Sequence, residues 1–127
     1  MVAYIATTSD ITVTVRPVYL DGQSDFLNRK FVFGYFVRIE NHGVEEVQLL
    51  RRHWFIRDGR GRVREVEGRG VIGKQPIIAS GASYEYNSFS VLETFEGSME
   101  GTYLLERAAG ERFRVAIPRF DLCAAAN

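Results

Sequence analysis

The run Phe31-Val-Phe-Gly-Tyr-Phe-Val-Arg-Ile39 sets Phe31, Phe33, Tyr35, Val37 and Ile39 on one parity. Successive side chains of an extended chain point to opposite faces, so this is a strand whose apolar face belongs to a core. Upstream, Ile11, Val13 and Val15 alternate with Thr12, Thr14 and Arg16 in a second strand rich in β-branched residues. Downstream, Asn41-His-Gly43 closes the strand as a turn, because Asn and Gly tolerate left-handed backbone. Residues 47–56 return as the next strand, Asp58-Gly-Arg-Gly61 reads as a hairpin turn, and residues 63–66 form a short charged strand suited to a sheet edge. Residues 68–81 read as loop, since four glycines punctuate them and Pro76 lacks a ladder donor. Strands resume at 84–92, 102–106 and 113–117.

Seven to eight short strands without sustained helical periodicity predict an all-β chain. The expected fold is an immunoglobulin- or fibronectin type III-like antiparallel β-sandwich, with the single Trp54 in its core. The 127 residues fit one domain spanning 1–127, with its β-pattern at about 11–122 and a short flexible tail at 123–127. One cysteine, Cys123, excludes an internal disulfide and reads as incidental, beyond the last β-pattern. No apolar stretch approaches the roughly 20 residues that span a bilayer, so membrane insertion is not expected. Met1 to Asp10 lacks a basic leader region, which implies a cytoplasmic protein.

Sixteen basic and 16 acidic residues cancel, so no global field draws the chain to nucleic acid or anionic membrane. The balance is not uniform. Between Arg51 and Lys74 eight cations (Arg51, Arg52, Arg57, Arg60, Arg62, Arg64, Arg69, Lys74) stand against three anions (Asp58, Glu65, Glu67). Alternation gives that strand one apolar face, with Leu50, Trp54 and Ile56 sharing parity with Arg52, and one basic face carrying Arg51, His53 and Arg57. Gly68-Arg-Gly-Val-Ile-Gly73 matches G-x-G-x-x-G and is followed by Lys74, but Pro76 and the residues after it give no helix N-terminus to receive a phosphate.

Catalysis finds little support. His42 and His53 have no third ligand spaced to complete a zinc site, and Ser80, Ser83, Ser88 and Ser90 lack a nucleophile elbow. Glu93, Glu96 and Glu100 read as scattered carboxylates in a glycine-containing loop, without a calcium-loop pattern. The nine Phe and six Tyr are assigned to inner sheet faces rather than to an RNA-stacking platform, so no nucleic-acid binding is expected. The expectation is a non-enzyme with no metal site and no obligatory cofactor.

Val47-Gln-Leu-Leu-Arg-Arg-His-Trp54 and Val66-Glu-Gly-Arg-Gly-Val-Ile-Gly-Lys-Gln-Pro76 form a block that resembles the bacterial ApaG family. The resemblance extends from about Ile11 to Leu122 and includes Tyr84-Glu-Tyr-Asn-Ser88, Gly97-Ser-Met-Glu-Gly-Thr-Tyr103 and Ile117-Pro-Arg-Phe-Asp-Leu122. It implies a fibronectin type III-like sandwich and places G-x-G-x-x-G within the family pattern. Similar domains close certain F-box proteins and occur in a eukaryotic polymerase-interacting protein, which implies a portable interaction module. Bacterial members are linked to cobalt and magnesium resistance or efflux. Departures are confined to turns: Ser80-Gly81 stands where Pro-Gly is usual, and Thr94-Phe95 where Thr-Pro is usual.

Three readings follow. In the first, a protein partner is bound by Arg51, Arg52, His53 and the loop of Gly68, Arg69, Gly70, Gly73 and Lys74, whose arginine forks suit carboxylate or phosphate. In the second, backbone amides of Gly68, Gly70 and Gly73 with Lys74 cradle pyrophosphate or a nucleotide. In the third, His53 or the acidic loop holds a divalent cation such as Mg²⁺ or Co²⁺ directly, as weak binding.

Overall fold

The computed structural model describes residues 2–125 and is all-β apart from one 3₁₀ turn, Asp21–Gln23. Nine strands run in chain order: β1 (Tyr4–Thr8), β2 (Ile11–Tyr19), β3 (Phe31–Asn41), β4 (Val47–Asp58), β5 (Val63–Arg69), β6 (Ile77–Ile78), β7 (Ser83–Leu92), β8 (Glu96–Arg107) and β9 (Arg112–Cys123). One sheet has the order β1-β2-β3-β7 and the other β5-β4-β8-β9, with β6 pairing alongside β4. Every pairing is antiparallel, and the two sheets form a sandwich.

The expected parity of β3 holds: Phe31, Phe33, Tyr35, Val37 and Ile39 are all buried between the sheets. They meet Trp54 and Ile56 of β4, Tyr103 and Leu105 of β8, and Phe120 of β9 in one core. At its centre the Trp54 ring lies 5.4 Å from that of Tyr35 and 5.9 Å from Phe120, the latter edge-on at 89°. Such geometry lets the positive ring edge meet the negative face.

Nine strands are one more than the upper end of the expected seven to eight, and two of them, β1 and β6, fall outside the stretches located from sequence. β1 pairs with β2 across a tight turn in which Ser9 adopts φ 54, and β6 is a two-residue ladder placing Ile78 against Val47. Both are too short to carry a periodic signal, and the backbone ladder defines them. β9 continues through Pro118 to Cys123 instead of stopping at 117, so Cys123 is a strand residue rather than part of a tail. The proline is accommodated because β9 is an edge strand and its register with β8 shifts between Met99 and Gly101, where Pro118 and Arg119 face a single residue. β8 likewise begins at Glu96, so Glu96 and Glu100 stand on a strand and not in a loop. Ala124 N–H donates to the Phe95 carbonyl at 2.9 Å, and the remainder of the expected tail, residues 126–127, lies outside the described residues.

The register of β4 against β8 shifts between Leu49 and Arg51, leaving Leu50 as the extra residue of a bulge. A bulge reverses the facing of what precedes it. Leu49, fully buried, therefore takes the core position expected of Leu50, while Arg52, Trp54 and Ile56 keep the inward parity.

A cleft between the sheets and the glycine hairpin beside it

The bulge shapes the candidate site. The carbonyl of Leu50 accepts from Gly70 N–H at 2.8 Å and from the Gln75 side-chain amide at 2.9 Å, which ties the segment after β5 to β4. Val71 and Lys74 exchange both backbone hydrogen bonds, at 2.8 and 3.0 Å, around Ile72 (φ 48) and Gly73 (φ 72). Two successive positive φ values make a type I′ turn, the tight connection whose twist matches flanking strands.

Each glycine of the motif then has a local cause. Gly70, at φ 60, has the Lys74 carbonyl oxygen 2.0 Å from where a Cβ would stand. At Gly68 a Cβ would lie 2.9 Å from Nη1 of Arg52, because Arg52 and Gly68 are register partners and the guanidinium lies across the glycine. Arg52 Nη1 donates to the carbonyls of Arg69 and Gly70, both at 3.0 Å, and so staples the hairpin to its own strand. The amide of Gly70 is taken by the Leu50 carbonyl of β4 and those of Val71 and Lys74 by each other's carbonyls, so an anion cradle built on them would have to displace existing bonds.

The residues singled out from sequence divide between two faces. Arg52 and Gly73 line the inner cleft, with Gly68 beneath the Arg52 guanidinium, Arg51 and His53 point outward from β4, and Arg69 and Lys74 are exposed. The outer face is not a free basic surface, because the β4–β5 register sets Glu67 opposite His53 and Glu65 opposite Phe55. His53 Nε2 lies 2.9 Å from Glu65 and its Nδ1 3.5 Å from Glu67, which also accepts from Arg51 at 3.3 Å. Arg62 is held by Asp58 at 2.7 Å. The local excess of cations therefore rests on Arg52, Arg57, Arg60, Arg64, Arg69 and Lys74, none of which pairs with a carboxylate among the described residues. No group of three His, Cys, Asp or Glu side chains converges on a metal-sized position among the described residues.

Between the two sheets, along the open side bounded by β5 and β7, lies a cleft of about 410 Å³. Arg52 and Arg64 are its charged lining, without any Asp or Glu; Tyr35, Tyr86, Ser88 and Ser90 supply hydroxyls, and Trp54, Ile56, Val66, Val71 and Met99 supply apolar wall. Burial pushes the Tyr35, Tyr86 and Tyr103 hydroxyls above their ordinary value of 10.0. The Tyr86 and Tyr103 hydroxyls are hydrogen-bonded to each other across the sheets. All three are neutral donors or acceptors at physiological pH.

Ile72 stands at the cleft mouth and also lines a shallow groove on the outer face of the β1-β2-β3-β7 sheet, with Phe36 and Phe89. That groove exists because Gly34 leaves a gap between Val18 and Leu20. Ile72, Phe36 and Phe89 are 60%, 46% and 64% exposed. The assignment of every Phe to an inner sheet face therefore fails at Phe36 and Phe89, which point outward; the available signal was Phe89 sharing the outward parity of Glu85 and Asn87 on β7.

Fold and site together define a two-sheet antiparallel β-sandwich with a glycine-shaped hairpin standing over an open inter-sheet cleft. The ApaG domain profile matches residues 21–107, and the chain belongs to the ApaG domain family. It is 53% identical over 119 residues to "Protein ApaG" of Paramagnetospirillum magneticum and 50% identical to that of Rhodospirillum centenum, covering 94% of this chain and 92% of each relative. A crystal structure of a Bordetella pertussis protein labelled ApaA superposes with a TM-score of 0.87 at 46% identity, over 90% of this chain and 93% of that one. No helix among the described residues is long and apolar enough to cross a membrane.

Proposed function

We propose that the chain is a non-enzymatic interaction module of the cytoplasm that binds a protein partner at the rim where the Gly68–Lys74 hairpin approaches β7. The observation that carries this reading is Ile72. A β-branched residue at φ 48 holds a strained backbone, and its side chain is presented to solvent rather than buried. Core packing does not account for an apolar side chain kept in such a place, and beside it Phe36 and Phe89 extend an apolar rim. Ion pairing on the outer face of β4 and β5 supports a protein rather than a nucleic acid as the occupant. In this reading the link to cobalt and magnesium resistance or efflux that the family resemblance implies runs through the partner, not through an ion held by this chain.

The test is photo-crosslinking in cells from a benzoylphenylalanine placed at position 89, with position 44, where Val44 is 94% exposed, as the exposure control. The expected result is a discrete adduct from 89 alone, lost when Ile72→Asn is added. Equal labelling from both positions, or none from 89, overturns the reading.

A further inference from the structure

The cleft has the composition of a receptor for one negative charge on an apolar body. Its volume, about 410 Å³, lies within the range of small-molecule sites, and its walls are apolar with a few convergent polar groups. Arg52 is half-buried, and no carboxylate pairs with it among the described residues. A guanidinium withdrawn from water is compensated in full only by a carboxylate or phosphate placed against its fork. The two carbonyls it touches occupy one nitrogen, Nη1, and fix the plane of the group.

Gly68 adds a second, independent reason. The edge strand β5 carries no side chain at the point where Arg52 crosses it, and any Cβ there would press on Nη1 and Nη2, at 2.9 and 3.1 Å. The absence of that side chain keeps the guanidinium in place at the rim of the cleft instead of covering it. Arg64 lies further along the same strand and lines the same space. Facing them across the sheets are the hydroxyls of Tyr86 and Ser88, and beneath lies the ring of Trp54.

We propose that this cleft is a binding site for a carboxylate borne on an aromatic or branched apolar group, the carboxylate meeting Arg52 and the apolar part lying against Val66, Val71 and Trp54. The carboxylate has two possible sources, a free small acid or the C-terminus of a protein chain. Ile72 and Phe89 border the mouth of this cleft, but the carboxylate contact is built on Arg52 inside it and does not depend on a protein being bound at the rim.

The experiment is an amide- and methyl-resolved NMR titration of the intact labelled chain with four probes: indole-3-acetate, its neutral amide, inorganic phosphate, and acetyl-Gly-Gly-Phe with a free C-terminus. Saturable shifts centred on Val66, Gly68, Val71 and Ser88 are expected with the acids and not with the amide. Arg52→Met should weaken them about tenfold or more, as loss of a charge-assisted pair requires. Because Arg52 also staples the hairpin, a second measurement is made on the unmodified chain: intermolecular NOEs from the indole ring to Val66 and Val71 methyls. Tighter binding of indole-3-acetate assigns the site to a free acid, and tighter binding of the peptide assigns it to a chain terminus. Silence up to about 10 mM of both acids, equal response to the amide, or phosphate shifts as large as those of the acids overturns the proposal.

Discussion

The two long sides of the sandwich are built by opposite means. On one side β1 and β9 close the gap between the sheets: the Thr8 hydroxyl oxygen accepts from Ala116 N–H at 3.0 Å, the Tyr4 ring lies 6.2 Å from that of Phe120, and Arg107 reaches Asp10 at 3.2 Å. On the other side β5 and β7 stand apart, and the space between them is lined by hydroxyls, two arginines and the flank of Trp54. The same alternation of apolar and polar residues produces both. What differs is that inward positions on the closed side are filled by large apolar side chains, whereas on the open side they include Gly68, Ser88 and Ser90. Stability is concentrated where the sheets meet, and exposed chemistry where they part.

This division is most severely tested by truncating one aromatic on each side. Phe120→Ala, at a position with no exposure, should cost about 3–5 kcal/mol in urea unfolding. Phe89→Ala should stay within about 0.5 kcal/mol. Similar losses at both would erase the distinction.

Alkaline titration probes the open side. Because burial raises the Tyr35, Tyr86 and Tyr103 hydroxyls, the folded state holds their protons above pH 10 while the unfolded state releases them. The stability they contribute is present below that pH and is lost as pH rises toward the folded values, by up to about 1.4 kcal/mol per pH unit for each group. Denaturant midpoints should therefore fall above pH 10, and Tyr86→Phe should make that fall shallower.

Gly70→Ala should cost about 2 kcal/mol, since it forces a left-handed alanine against the Lys74 carbonyl. Loss of hydrogen-exchange protection at the Gly70 and Val71 amides would locate the damage in the hairpin.

An acid limb reports on the closed side. The hydrogen bond from Arg107 holds the Asp10 carboxyl below its usual value, so its contribution is present above about pH 4 and fades as pH falls through the folded value. Asp10→Asn should lower stability by about 1 kcal/mol at neutral pH, with the difference from the parent chain closing in acid.

The smallest effect runs the other way. Ile72→Asn should stabilise the fold by up to about 1 kcal/mol by relieving left-handed strain, while abolishing the crosslink from position 89. A gain in stability paired with a loss of binding is the signature of a residue kept for its surface.

Much of the core was legible because β3 is a long period-2 run, and a one-residue error there would turn Phe31, Phe33 and Tyr35 outward. The phase of β4 was not. Leu49 and Leu50 are both leucines, and the bulge that decides between them exists only in the pairing with β8. The charge pattern was read correctly as composition and incompletely as a surface, because Glu65 and Glu67 reach Arg51 and His53 only through the β4–β5 register. The glycine motif was visible and its purpose was not, since Gly68 is explained by a side chain on the neighbouring strand.

By itself, then, the amino-acid order determined that the chain is a β-sandwich, which parity of an unbulged strand such as β3 faces inward, and where the main turns fall, because these depend on local backbone preference and alternation. Tertiary structure alone decided which edges are covered, that the space beside Arg52 is an open cleft which Arg64 also lines, and which cations are neutralised. Those are properties of register between strands distant in the chain, and a single residue of shift changes every partner.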